Sequence, residues 1–180
     1  KEDELAYESD WCGIVTTKEM VDAVKAAGFQ TMRIPVSWHN HVSQDGSYTI
    51  SDVWMNRVQE VVDYAIDNDM YVIINIHHDN STDYVYPSQE YLEQSKAYVT
   101  SIWTQVAERF ADYDEHLIME GLNEPRLVGT NNEWWLDLNN GHCVEAVQCI
   151  NELNQAFVDA VRASGGRNKE RYLLVPGYAA

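Results

Sequence analysis

Four times along the chain a helical repeat gives way to a short apolar run, and this alternation is the strongest constraint on the fold. Residues 17–27 (TKEMVDAVKAA) place Met20, Val21, Val24 and Ala27 at helical spacing, with Thr16 or Thr17 as a cap and Gly28 as a stop. The run 30–38 (QTMRIPVSW) then reads as a strand. A second helix, 51–68, with Ser51 as its cap, precedes the strand 71–76 (YVIINI). That run is almost continuously apolar, the pattern of a strand covered on both faces. The cycle returns as a helix over 89–110 with a strand at 116–121. It returns again as a helix over 143–163, ended by Gly165 and Gly166, with a strand at 171–175. Such alternation builds parallel βαβ units, so the fold class is α/β. No linker of low complexity interrupts the chain, and residues 1–180 read as a single domain.

The connections are unequal. Those from helix to strand take one or two residues, at Gly28 and at Asp69 and Met70. Those from strand to helix are long and aromatic: 39–50, 78–88 and 125–141. In a parallel α/β protein the long loops therefore crowd the C-terminal ends of the strands, where such folds place their active sites.

Charge narrows the partners. Twelve Lys and Arg against 29 Asp and Glu give a formal net charge of −17. That field repels phosphate backbones and anionic lipid, so nucleic acid and membrane surfaces are disfavoured, while a neutral polysaccharide is compatible. No apolar run approaches the roughly 20 residues needed to span a bilayer. The opening KEDELAYESD is polar and acidic, unlike a signal peptide, and its first residue leads us to expect a processed or excised piece. Cys12, Cys143 and Cys149 form no metal spacing, and their odd number argues against a complete disulfide framework. A single bridge through Cys12 stays open. No metal or other cofactor is expected.

Four strand ends or loops carry distinctive groups. Arg33 lies within an apolar strand, which is costly unless a carboxylate pairs with it. His77, His78 and Asp79 follow YVIINI; neighbouring side chains on extended backbone point to opposite faces, which favours a polar substrate contact over a shared metal ion. Asn123, Glu124 and Pro125 follow LIMEGL. Proline fixes the turn after Glu124, and a protonatable carboxyl at the mouth of a parallel sheet suits glycoside hydrolysis, which needs two such groups across the scissile bond. Trp134 and Trp135 sit in the long loop NNEWWLDL. One ring of such a pair is expected to pack inward and the other to face a sugar. Tyr84 and Tyr86 are weaker candidates of the same kind. A metal-dependent hydrolase using His77, Asp79 and Glu124 is a competing reading.

The segments TMRIPVSWHNHVS, MYVIINIHHD, YDEHLIMEGLNEPRLVG and NEWW together resemble glycoside hydrolase family 5. The likeness runs along almost the whole chain and is nearest to subfamily 4, the clostridial cellulosomal endoglucanases. The resemblance implies a partial (β/α)8 barrel whose four strands correspond to about the second to fifth of the family. The first strand and the sixth to eighth would lie outside these residues. It implies retaining hydrolysis of internal β-1,4 bonds of cellulose or related β-glucans, with Glu124 as acid/base and Asn123 binding the sugar 2-hydroxyl. Arg33 would support the nucleophile carboxylate, and His77, with His78 beside it, would line the subsite of cleavage. Trp135, or less directly Trp134, would line the cleft. No residue matches the family nucleophile, so the chain alone is expected to be inactive. A secreted, extracellular location follows from the same resemblance. The uncovered strand edges are expected to invite self-association, with glucan binding or dimerisation in place of catalysis as the alternative.

Overall fold

The computed structural model describes residues 4–180. Its helices are α1 (Lys18–Ala26), α2 (Asp52–Ile66), α3 (Leu92–Arg109) and α4 (Gly141–Ala163). They alternate with the strands β1 (Thr31–Ile34), β2 (Tyr71–Asn75), β3 (Leu117–Glu120) and β4 (Leu173–Leu174). The strands form one sheet in the order β1-β2-β3-β4, and every neighbouring pair is parallel. The α/β alternation is therefore the one expected. The strands are shorter than the apolar runs, because ladder pairing stops where each run turns into its loop.

Local chemistry sets the helix ends. The Thr17 hydroxyl accepts a hydrogen bond from the Met20 amide at 3.4 Å and opens α1. Gly28, at φ 98°, releases the chain from α1 through a conformation that costs glycine nothing. Ser51 does not cap α2 with its side chain, against expectation. Its hydroxyl hydrogen-bonds the Glu4 carboxylate instead, and Asp52 supplies the negative charge at the first turn.

The sheet is covered unevenly. Val72, Ile74, Leu117 and Met119 are fully buried, in one core with Val62, Ile102, Trp103, Val106, Phe157 and Val161 of the helices. Register places Arg33, Ile73, Ile118, Asn75 and Glu120 on the other face. There Tyr71 and Leu174 are exposed and Ile73 and Ile118 half-buried. Along β2 the second face runs from exposed Tyr71 through half-buried Ile73 to fully buried Asn75. The helices fill one side, and among the described residues nothing closes the other to the same degree.

One close contact seats the end of β3. The Trp103 indole donates to the Gly121 carbonyl at 3.0 Å, and the Phe157 ring lies 4.7 Å from the Trp103 ring. A Cβ on Gly121 would meet Phe157 Cδ1 at 2.6 Å, so only glycine lets β3 approach α3 and α4 this closely. The loop bearing Asn123 and Glu124 starts two residues later. Among the described residues no helix is long and apolar enough to cross a membrane. Cys12, Cys143 and Cys149 are all free thiols.

Candidate active site

The polar groups of the inward strand face meet at the C-terminal ends of β1, β2 and β3. Arg33 reaches across β2 to Glu120, the last residue of β3. Its Nε and Nη2 each donate to one carboxylate oxygen at 2.7 Å. This two-point fork is the strong form of an ion pair, and the hydrogen bond to Glu120 raises the Arg33 pKa further from neutrality. The partner that a strand arginine requires is therefore Glu120, a residue the sequence reading passed over. The signal was present: Glu120 interrupts LIME as Arg33 interrupts TMRI, and strand alternation puts both on one face.

The same guanidinium donates to Asn123 Oδ1 at 2.8 Å. A guanidinium has only donors, so it fixes which end of the amide is oxygen. Asn123 Nδ2, with no hydrogen-bond partner among the described residues, is left as a donor. The Asn123 backbone is held by its N–H to the Ile76 carbonyl at 2.9 Å, while its carbonyl accepts from Asn80 Nδ2 at 3.0 Å.

Glu124 follows at φ 48°, in the left-handed region. A non-glycine residue pays for that conformation, and a following proline restricts it further. The strain is held by the neighbouring bonds: the Glu124 N–H donates to the Ala180 carbonyl at 2.9 Å, and its own carbonyl accepts from Arg126 Nη1 at 2.9 Å. The turn leaves the carboxyl side chain 40% exposed, with Arg126 Nη1 3.6 Å from Oε2. A constrained backbone at the end of β3 thus holds Glu124 with its carboxyl partly exposed.

His77 is half-buried and His78 exposed, with ring centres 4.4 Å apart. Burial, then the neighbouring His78 and Arg33, push the His77 pKa down to about 4. At neutral pH the ring is an uncharged hydrogen-bonding group. Asp79 is turned away from this cluster. Its buried carboxylate accepts from the Trp38 and His39 amides at 3.1 Å and lies 2.5 Å from His39 Nδ1, tying the β1 loop to the β2 loop. His77, Asp79 and Glu124 therefore do not converge as a ligand set. The Asp114, Glu115 and His116 cluster lies at the opposite end of β3.

The aromatic groups divide differently from expectation. Neither Trp134 nor Trp135 packs inward; they are 60% and 74% exposed. The Arg126 guanidinium covers one face of Trp134 at 3.9 Å and also pairs with Glu133 at 3.1 Å. That ion pair holds the loop without burying either indole. Tyr84 packs against His39 and Tyr98, and the Tyr86 hydroxyl donates to the Val128 carbonyl, so both are loop anchors. Trp11, which the sequence reading did not single out, is 88% exposed with its ring 5.9 Å from His78.

A parallel α/β sheet that presents a carboxyl, an amide, imidazoles and exposed indoles at its strand ends has the make-up of a carbohydrate-active barrel protein. The family model for cellulase (glycosyl hydrolase family 5) matches residues 3–180, and the chain belongs to this family. It is 49% identical to endoglucanase A of Ruminococcus albus over 97% of its length, covering 46% of that protein. It is 43% identical to endoglucanase B of Clostridium cellulovorans, covering 99% of this chain and 39% of that one. Among solved structures it resembles a family 5 lichenase variant of Caldicellulosiruptor sp. F32 in complex with cellotetraose, at 61% identity and a TM-score of 0.97. That match covers 99% of this chain and 48% of the other. A broad-specificity endoglucanase of Ruminococcus champanellensis with bound cellotriose matches at 52% identity and a TM-score of 0.89, over 96% and 48% of the two chains. The chain thus spans about half the length, or less, of the proteins it matches, and its four-stranded parallel sheet fits part of a barrel.

Proposed function

We propose that residues 1–180 are part of the catalytic domain of a retaining endo-β-1,4-glucanase, with Glu124 as the general acid/base. The observation that carries this reading is the braced turn at Glu124, which leaves its carboxyl reachable by solvent and near enough to Arg33, itself tied to Glu120 and Asn123, to act on the guanidinium charge. In this reading Glu124 protonates the departing glycosidic oxygen and then takes a proton from the attacking water. Asn123 Nδ2 donates to the sugar 2-hydroxyl. Arg33 and Glu120 fix Asn123 and place a positive charge near the reacting centre. Neutral His77 contacts the sugar at the point of cleavage, with His78 beside it, and Trp134 and Trp135 line the cleft. The relatives' description as endoglucanases, and the cello-oligosaccharides bound to the solved neighbours, support a β-glucan as substrate. A polymer of this kind lies outside the cell, which supports secretion.

Retaining hydrolysis needs a second carboxyl roughly 5–5.5 Å from the first. Within the cluster the other carboxyl is Glu120, and both its oxygens are held by Arg33. Purified 1–180 is therefore expected to release no reducing ends from carboxymethyl cellulose or lichenan above background. Ready turnover by 1–180 that vanishes in Glu124→Gln would overturn this. The open sheet face with Tyr71 and Leu174 favours a second reading, in which the chain binds glucan or pairs with a second copy without cleaving anything. Calorimetric binding of cellotetraose without cleavage, together with a doubled mass on size exclusion, would mark that case.

Trp11 beside His78 and Trp134 beside Arg126 sit next to the β2 and β3 ends of the site. A sugar face covering ~50 Å² of exposed indole gains about 1 kcal/mol at 25 cal/mol per Å². Trp11→Ala is accordingly expected to weaken cellotetraose binding about five-fold. An unchanged dissociation constant would place Trp11 outside the cleft.

A further inference from the structure

Asn75 is the one amide side chain of YVIINI, and it is completely buried. A buried amide at the end of an apolar strand costs stability unless its donors and acceptor are used. Both ends are engaged. Oδ1 accepts from the Val36 N–H at 3.1 Å, and Nδ2 lies 3.1 Å from His77 Nδ1. We propose that Asn75 is a positioning residue that fixes the ring proton of His77 on Nε2, so that the imidazole presents an N–H donor to the cleft and its acceptor nitrogen to the protein.

A backbone N–H can only donate, so Val36 marks the oxygen end of the Asn75 amide. The other end is then the NH2, which also can only donate. His77 Nδ1, facing that NH2 at hydrogen-bond distance, must offer a lone pair. In a neutral imidazole with a lone pair on Nδ1, the proton is on Nε2. The arrangement is rigid because the backbones on both sides are tied. The His77 N–H donates to the Val36 carbonyl at 2.9 Å, and the Trp38 indole donates to the Asn75 carbonyl at 3.0 Å. The i and i+2 positions on extended chain point the same way, which brings the amide under the ring.

The contact also disfavours the imidazolium, whose Nδ1–H would face the Asn75 NH2. Among the charged and titratable groups around His77, Arg33 and His78 oppose protonation while Glu120 and Glu124 favour it, and burial outweighs them all. A neutral donor suits a site that must keep a proton on a neighbouring carboxyl: it can bind a sugar oxygen without competing for that proton. The functional meaning rests on the reading of His77 as a sugar contact. The tautomer itself does not, and it can be measured without substrate.

The test is long-range 1H–15N correlation spectroscopy on the 15N-histidine-labelled chain, with the His77 signals assigned by their loss in His77→Gln. The expected wild-type pattern at neutral pH is the Nε2–H tautomer, persisting to about pH 5 and titrating below. In Asn75→Asp the carboxylate can still accept from Val36 but can no longer donate to His77. His77 is then expected to move its proton to Nδ1, and the pH at which it titrates to rise by about one to three pH units. A wild-type Nδ1–H tautomer or an imidazolium at pH 7 would overturn the proposal, whether or not the variant folds. So would an Asn75→Asp protein with dispersed native resonances and an unaltered His77 pattern. In a form of the enzyme that turns over β-glucan, unchanged kcat and KM in His77→Gln with the Nε2–H pattern intact in the parent would count against His77 as a sugar contact and leave the role of Asn75 standing.

Discussion

Glu124→Gln, made in a form of the enzyme that turns over β-glucan, is expected to lower kcat on an unactivated glucan by roughly 10²–10⁴-fold. Glutamine has nearly the same size, and the backbone of the turn is held by Ala180 and Arg126 rather than by the side chain. The variant should therefore fold and bind substrate normally, with little change in KM. What it loses is a transferable proton. The role makes a sharper prediction than the loss alone. An aryl glycoside with a good leaving group needs no proton to depart, so its first step should survive while the second slows, and a burst of aryl product should precede a slow steady state. Added azide should then restore turnover, because an anionic nucleophile needs no base. A variant equally impaired on both substrates and indifferent to azide would mean that Glu124 holds the site together without transferring protons.

The site was legible where residue type and strand end coincide. Arg33, His77, Asn123 and Glu124 lie where the alternation of helices and apolar runs places them, since a parallel sheet gathers its strand ends on one rim. What the sequence did not reveal was pairing. Arg33 demanded a carboxylate, and sequence order supplies no distance between it and Glu120, 87 residues away. Asn75 was hidden for another reason. It sits in an apolar run and reads as one polar slip, yet it is the node that joins Val36, Trp38 and His77. Trp11 carries no periodic signal at all, and its place beside His78 depends on how the chain before α1 folds back.

The fold was legible because helix and strand periods differ so plainly here. Boundaries moved where side chains found other partners. Ser51 turned to Glu4 instead of capping α2, and α3 begins at Leu92 after the loop anchored by Ser95 and Tyr86. The uneven cover of β2 was not legible, because an apolar run gives the same pattern whichever face a helix occupies. The tryptophan pair misled for a similar reason: the rule that one ring packs inward assumes there is nothing else to hold the loop, and Arg126 supplies that hold from outside.

Arg171→Met should unfold the chain at a much lower temperature, and the reason lies at the end of the sheet away from the site. Arg171 precedes β4 and is only 3% exposed. In sequence it reads as the charged flank of RYLLV. Among the described residues it has no carboxylate partner, and all its donors go to uncharged oxygens: Asn168 Oδ1, and the carbonyls of Phe110, Tyr113, Asp114 and Leu117. Four of these bonds collect the backbone between the end of α3 and the start of β3, where the Phe110 and Asp114 carbonyls also accept from the Tyr113 and Leu117 N–H groups. Burial lowers the Arg171 pKa from the usual arginine value, which is far enough above neutrality for the charge to persist. An apolar substitute would relieve the cost of burying that charge, and for some buried ion pairs such an exchange is neutral. Here the partners are backbone carbonyls, which the substitution cannot remove; those of Phe110 and Asp114 keep a backbone donor, and a buried carbonyl left with none costs about 1–3 kcal/mol. We expect a loss of about 3–5 kcal/mol, or roughly 6–20 °C in Tm for a chain of this size, read by calorimetry or urea unfolding. Arg171→Lys separates charge from geometry. It keeps the cation but offers three donors from one point, so it should recover only part of the loss. A methionine variant within about 1 kcal/mol of the parent would show that the carbonyls find water or each other, and that the guanidinium fork is not what joins β4 to α3 and β3.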